Sequence, residues 1–506
     1  MDQGQAQVRW WLPGLAGAAA SAAVGWSFGA CTQDDAFISF RYAQHLIEGH
    51  GLVYNVGERV EGFTNPLWTL LLAGVMGLGF DPVPASAVMG AACMAALTFT
   101  AATLAWRLGG PWAAVAAAAM IGVDPQAGLE SVEGLETALY ALLVTVAVGQ
   151  LGRAAPGGHG ASTVAFALAA LTRPEAPMLA ALAHFGLLVG DPEHRGARLR
   201  GALQAGALLG LQQAVLVSAR LWYYGEPLPN TFYAKVGGAA WARGLRYLGE
   251  HLQTHPGLWA LAAIGLVIGL RAGRSLRLRA AVLGAPLLGQ LLYVAQVGGD
   301  FKPTGRFVMP VLGLMAGLAG LAVGRLGVRR SGMVFAGLLT ALSVAAALRD
   351  RPRVATWAEE RHANVEARRV VGRFLKANFP PDTLIAIHSA GAIPFYAALP
   401  TIDMWGLTDH HIARAPIPTM GEGLAGHEKG DPAYVFAREP MIYLPEDRVF
   451  TLRPWVLEVE PNFPADFAER YNSVSIAVEG RALNVWVRKG FLARLNGGEA
   501  AGPASP

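Results

Sequence analysis

PLWTLLLAGVMGLGF, residues 66–80, decides how the rest of this chain is threaded. The stretch is apolar, yet it opens on Pro66 and is shorter than the roughly 20 residues a helix needs to cross a bilayer. If it crosses, and the N-terminus is cytoplasmic, the basic segments HRGARLR (194–200), RAGRSLRLR (271–279) and RLGVRR (325–330) all fall outside. Lys and Arg strongly prefer cytoplasmic loops. If it lies along the outer surface, those three segments fall inside, together with Arg107 and Arg153. The charge rule therefore places 66–80 at the outer interface.

Composition makes threading the central question. Of 506 residues, 53% are hydrophobic and only 15% charged, and mean hydropathy is +0.36. A soluble domain carries about 25% charged residues. Apolar runs recur near 10–30, 84–106, 110–124, 136–152, 161–173, 174–190, 200–222, 256–271, 278–297, 306–325 and 331–348. They predict about eleven crossings of an integral cytoplasmic-membrane protein. The first run competes with a secretory signal, but its length and the spans that follow favour a retained helix. The net charge of +4 comes from arginines clustered between apolar runs, a topology pattern that argues against nucleic acid. Cys31 and Cys93 lie at or inside apolar runs, which speaks against a disulfide framework.

Once 66–80 is interfacial, residues 31–83 form a first extracytoplasmic loop. TQDDAFISFR, GLESVEGLE, TRPE, YYGEPLPNTFYAK and GGDFKPTGR then share the outer face. Charges near span ends that gather on one side are costly and usually functional. From about Asp350 the composition changes. VEARRVVGRFLKANFP has helical apolar spacing before Pro380, TLIAIHS reads as a strand, and SVSIAVEGRALNVWVRK reads as a hairpin through EGR. A membrane domain over 1–349, a small extracytoplasmic α/β domain over 350–490 and a disordered tail over 491–506 are thus expected.

DDAFISFRYAQHLIEGHGLVYNVGERVEGFTNPLW, GLETALYALL, LTRPEA, YYGEPLPNTFYAK, GGDFKPTGRFVMP, IDMWGLTDHHIAR and GHEKGDPAY carry a resemblance. In this order they resemble the membrane glycosyltransferases of the GT-C fold that use polyprenyl-phosphate sugars. Within that fold the chain looks most like the group containing the mycobacterial terminal arabinofuranosyltransferases. The resemblance implies a lipid-phosphate-linked sugar donor, an extracytoplasmic glycan, lipid or protein acceptor, and an acidic base in the first outer loop. Arabinofuranose is one sugar it suggests.

That chemistry needs a base for the acceptor hydroxyl and positive charge for the departing phosphate. Asp34 and Asp35 are the acidic candidates. On a helix they point about 100° apart, so one faces a cavity more easily than the other. The family's pattern favours Asp34 as base, with Asp35 second or holding a divalent cation such as Mg or Mn. The plainer reading of Asp34 is helix capping. Lys235, Lys302 and Arg306, followed by Arg173 and Arg41, are the donor-phosphate candidates, against the alternative of snorkelling toward headgroups. Glu133 and Glu136 either position the acceptor or stabilise a helix start. Tyr224 and Asn230 could hold a sugar or belong to an aromatic belt. Asp403, Asp409, His410, His411, His427 and Glu428 are the polar residues of the matching terminal motifs, expected to contact the acceptor; their spacing fits no compact zinc motif. A transporter or flippase of lipid-linked sugars is the alternative. No internal repeat of the kind transporters show is visible.

Overall fold

The computed structural model describes residues 9–491 apart from 156, 236, 237, 418, 419, 421, 422, 424, 425 and 447. The tail from 492 onward lies outside the described residues. The chain divides into two compact units, one of residues 1–32, 64–222 and 238–361, the other of 33–63, 223–237 and 362–506. The division between the units nearest the expected boundary at 350 falls inside a single 49-residue helix, Arg330–Asn378. The expected span at 331–348 and the helix before Pro380 are one element, with Pro352 inside it. Proline removes one helical hydrogen bond and usually kinks or ends a helix. Here Val354 and Ala358, on the turns that follow it, are buried against Cys31, Leu129 and Val132.

The first unit is helical. Five helices are long and apolar enough to cross a membrane: Pro82–Gly109, Pro192–Tyr224 (its first turn 3-10), Arg274–Val297, Met309–Leu326 and Arg330–Asn378. Two bent pairs raise this to seven, Pro125–Val132 with Thr137–Leu151 at 114° and Trp241–Thr254 with Pro256–Arg271 at 101°. The other expected crossings fall on the short apolar helices Leu12–Trp26, Pro111–Gly122, Gly160–Ala170 and Ala176–Gly190. Pro66–Gly77 is likewise a 12-residue helix started by its proline. Length alone thus supports five to seven crossings where the apolar runs predicted about eleven. Small residues let the backbones approach, as membrane helices require without a hydrophobic driving force. A Cβ on Gly109 would stand 1.9 Å from the Gly320 carbonyl oxygen, so only glycine fits that crossing.

The second unit carries a mixed sheet, whose strands are β1 (Ile385–Ile387), β2 (Thr401–Asp403), β3 (Ile442–Leu444), β4 (Phe450–Thr451), β5 (Tyr471–Val478) and β6 (Arg481–Arg488). β2, β1 and β3 are parallel neighbours, with Ile385 opposite both Thr401 and Ile442. β6 runs antiparallel to β5 along its length and, by separate stretches, to β3 and β4. The expected hairpin is present, turning at Glu479 and Gly480, both with positive φ. Alternation along β1 sends Ile385 and Ile387 to a core with Val371 and Leu375, and Ala386 to an aromatic core with Phe436, Phe467 and Trp486. Residues 33–63 join this unit through helix Asp34–Ile47, whose Phe37 and Phe40 rings meet Phe395 at 5.5 and 6.0 Å.

Candidate functional site

Asp34 and Asp35 occupy the first turn of helix Asp34–Ile47, which is preceded by Gln33 in extended conformation. Asp34 does not cap its own helix. Its Oδ2 accepts from the Gly391 amide at 3.1 Å and its Oδ1 from the Ala392 amide at 2.9 Å, the two amides that open helix Ala392–Ala397. Arg368 adds an ion pair at 3.0 Å. Three of the about four lone-pair positions of a carboxylate are thereby used. Gly391 makes the approach possible, since a Cβ there would stand 2.0 Å from the Asp34 carbonyl oxygen. Capping was thus the right chemistry applied to a helix 357 residues away. Arg368 carries no motif that singles it out among neighbouring arginines.

Arg41, about two turns further along the Asp34 helix, is buried and donates to the carbonyls of Tyr54, Pro394 and Leu399 at 2.7, 2.6 and 2.7 Å. Its guanidinium ties three chain segments together, which differs from the phosphate contact expected of it. Lys235 ends helix Asn230–Lys235, is exposed, and makes no ion pair among the described residues. Asn230 is buried: its amide nitrogen donates to the carbonyls of Gly406, Leu407 and Asp409, and its oxygen accepts from Arg414 at 3.0 Å. Those bonds occupy the groups a sugar would need. The Tyr224 hydroxyl donates to the Leu52 carbonyl at 2.9 Å.

Nearby chemistry in this unit was only partly foreseen. His410 meets Glu226 at 3.0 Å, and Arg414 reaches the same carboxylate at 2.9 Å. The hydrogen bond from His410, with the charge of Arg414, holds Glu226 below the ordinary carboxylate range. Asp409 caps helix His410–Arg414 through the Ile412 amide and also meets Arg438. Asp403 accepts from the Trp405 and Thr408 amides and the Thr408 hydroxyl, while burial pushes its carboxyl up to about 6. Both aspartates are therefore turn-formers. Trp405, half-buried, packs between the rings of His427 at 4.2 Å and His388 at 5.6 Å. Burial lowers His388 to about 4. An indole beside imidazoles offers a stacking face for a sugar. His411 pairs with Asp431, 2.9 Å away.

The remaining candidates meet in the helical unit. Lys302 is 1% exposed, donates to Glu130 at 2.8 Å and also contacts Glu133, while the Thr304 hydroxyl donates to Glu130. Arg173 pairs with Glu136 at 2.9 Å and with Glu175 at 2.7 Å. Arg306 lies 3.4 Å from Asp300 and 3.9 Å from Glu136. Asn65 donates to Glu136 at 2.8 Å. The carboxylates Glu130, Glu133, Glu136, Glu175 and Asp300 thus outnumber the cations Lys302, Arg173 and Arg306. Each of the three cations expected at the donor phosphate thus has carboxylate partners in this structure. Glu130 could have been read from GLESVEGLE, because it stands three residues before Glu133 and shares its helix face. Among the described residues no group of three or more His, Cys, Asp or Glu side chains is placed to hold a metal ion.

A family described as a domain of unknown function (DUF8728) matches residues 355–486. A terminal β-(1→2)-arabinofuranosyltransferase of Mycobacterium tuberculosis is 29% identical over 329 residues, covering 56% of this chain and 51% of that protein. Its namesake from Corynebacterium glutamicum is 28% identical over 332 residues, covering 56% and 46%. The chain spans about half the length of these curated relatives. Crystal structures of ArnT from Cupriavidus metallidurans superpose over 96% of this chain and 98% of theirs, at 14% identity. The TM-score is 0.59 for the apo state and 0.56 for the state bound to undecaprenyl phosphate. The chain therefore has the ArnT-like helical fold, with several helices apolar enough to cross a membrane, and is similar in sequence over about half its length to the terminal arabinofuranosyltransferases.

Proposed function

We propose that this protein is a glycosyltransferase that moves a sugar, arabinofuranose by likeness to its relatives, from a polyprenyl-phosphate carrier to an extracytoplasmic glycan. Asp35 is the base, Asp34 the residue that fixes the pair, and Lys235 the cation that meets the donor phosphate. The observation that carries this reading is the occupied carboxylate of Asp34, clasped by two amides and Arg368 at the head of the helix that presents Asp35. The names of the relatives support the sugar, and the carrier in the ArnT structure supports a polyprenyl phosphate.

In the reaction the acceptor oxygen attacks C1 of the donor sugar as its proton passes to Asp35. The bond from C1 to the phosphate oxygen breaks, and the polyprenyl phosphate leaves with both electrons of that bond. An unpaired exposed lysine is suited to such a leaving group, because its ammonium acts as a compact, strongly hydrated point charge. Trp405 with His427, and His410 with Glu226, are the acceptor contacts.

The test is incubation of purified protein with a panel of polyprenyl-phosphate sugars and a glycan acceptor, following which carrier loses its sugar. Asp35→Asn should lower kcat by about 10²–10⁴, the usual worth of a general base. Lys235→Ala should raise KM for the donor. Full transfer by Asp35→Asn would remove the assignment, and a panel left untouched by the wild-type protein would remove the activity.

A further inference from the structure

Three arginines line one cavity in the helical unit. Arg107 lies in the last turn of Pro82–Gly109, Arg153 two residues beyond Thr137–Leu151, and Arg279 in the second turn of Arg274–Val297. Together they line a cavity of about 450 Å³ whose walls include Leu104, Val148 and Val282. Arg279 donates to the backbone carbonyl of Arg107 at 3.3 Å, which holds its side chain against the end of Pro82–Gly109.

None of the three forms an ion pair among the described residues. Acidic groups near this end are already engaged: Asp191 by Arg198 at 3.1 Å and Arg274 at 2.6 Å, and Glu193 by Arg274. Like charges held together without counter-ions are unfavourable, and a bound anion relieves the repulsion. Arginine is the side chain best shaped to grip a phosphate through parallel hydrogen bonds.

We propose that this cavity is a binding site for one anionic phospholipid, with the phosphate held by Arg107, Arg153 and Arg279 and an acyl chain against the apolar wall. Three features select a lipid over a soluble anion. The walls beneath the arginines are aliphatic, all three helices concerned carry apolar membrane-type sequence, and Trp106 lines the same cavity. Tryptophan prefers the headgroup level of a bilayer. Basic pockets between membrane helices are a known way of holding anionic headgroups. The proposal rests on membrane embedding and is independent of the transferase reading.

The test is native mass spectrometry of the detergent-purified full chain with phosphatidylglycerol, with phosphatidylcholine in parallel. The wild-type protein should retain one phosphatidylglycerol more tightly than phosphatidylcholine. Each Arg→Gln change should weaken retention roughly fivefold, and the triple variant R107Q/R153Q/R279Q roughly a hundredfold. Arg325→Gln, a basic position outside the cavity, should leave retention unchanged. If the triple variant fails to fold, Arg153→Gln alone serves, since that side chain is exposed and outside any helix. Equal retention by wild type and variants, or equal retention of the two lipids, overturns the proposal. Complete displacement by millimolar inorganic phosphate also overturns it, in favour of a free-anion site.

Discussion

Replacing Lys302 by methionine separates the two roles open to this cation. Its ammonium lies 2.8 Å from one Glu130 oxygen and also touches Glu133, and all three side chains are at most 1% exposed. At that distance one ion pair attracts by about 6 kcal/mol at an effective dielectric of 20, much of it offsetting the cost of dehydrating the charges. Methionine keeps roughly the volume and loses the charge, so two buried carboxylates are left facing one another. Removing one partner from a buried pair costs about 3–5 kcal/mol. The assay is thermal unfolding in nanodiscs, with donor affinity measured in parallel on the folded fraction. Lys302→Met should lose about 3–5 kcal/mol, and adding Glu130→Gln and Glu133→Gln should recover most of it. A phosphate-gripping lysine would behave in reverse, with stability kept, donor affinity lost and no recovery. A loss below about 1 kcal/mol, the range of an ordinary surface change, would refute the buried-network assignment.

Stability of the second unit should respond to pH in two opposed ways between about pH 4 and 6. His388, held at about 4, stays neutral in the fold while the unfolded chain takes up a proton below about 6.5, so its contribution is lost as pH falls through that window. Asp403, raised to about 6, does the opposite: its contribution is present in acid and lost as pH rises from about 4 to 6. His388→Phe should therefore make stability fall between pH 4 and 6 relative to wild type, and Asp403→Asn should make it rise. Unfolding curves that move together in both variants would contradict the signs. Gly391→Ala drives a methyl group into Asp34, and overpacking of this kind costs about 1–3 kcal/mol; an unchanged unfolding temperature would count against the clasp. Sugar transfer should persist in EDTA, and activity lost there and restored by Mg or Mn would show a cation that no described cluster accounts for.

What the sequence revealed followed the range of the interactions involved. Helix Asp34–Ile47 and the β5–β6 hairpin were legible because local spacing and an intervening EGR carry them. The apolar runs marked nearly every membrane-type helix, yet the bend between Pro125–Val132 and Thr137–Leu151 was hidden in what read as a loop. The candidate site residues stand out in the sequence by type, but their partners come from far along the chain. Lys302 reaches Glu130 across 172 residues, Arg41 reaches Pro394 across 353, and Asn230 reaches Asp409 across 179. A motif shows that a charge is present, whereas its availability depends on neighbours brought by the fold. The continuity of Arg330–Asn378 through Pro352 was hidden for a similar reason: tertiary burial of Val354 and Ala358 accompanies a helix that local preference would have ended.

The clasp between Asp34 and the amides of Gly391 and Ala392 also sets a clock. Chains emerge from ribosomes at about 5–20 residues per second, so the 357 residues between these partners take on the order of 20–70 s to make. Throughout that interval the first helix of the second unit has been synthesised while the amides, the Arg41 carbonyl acceptors at Pro394 and Leu399, and Arg368 have not. A truncated chain carrying only residues 355–486 would face the same deficit permanently, with its counterparts in 33–63 and 223–237 missing. The aspartate pair therefore becomes fixed only late in biosynthesis, after the whole helical unit has been made.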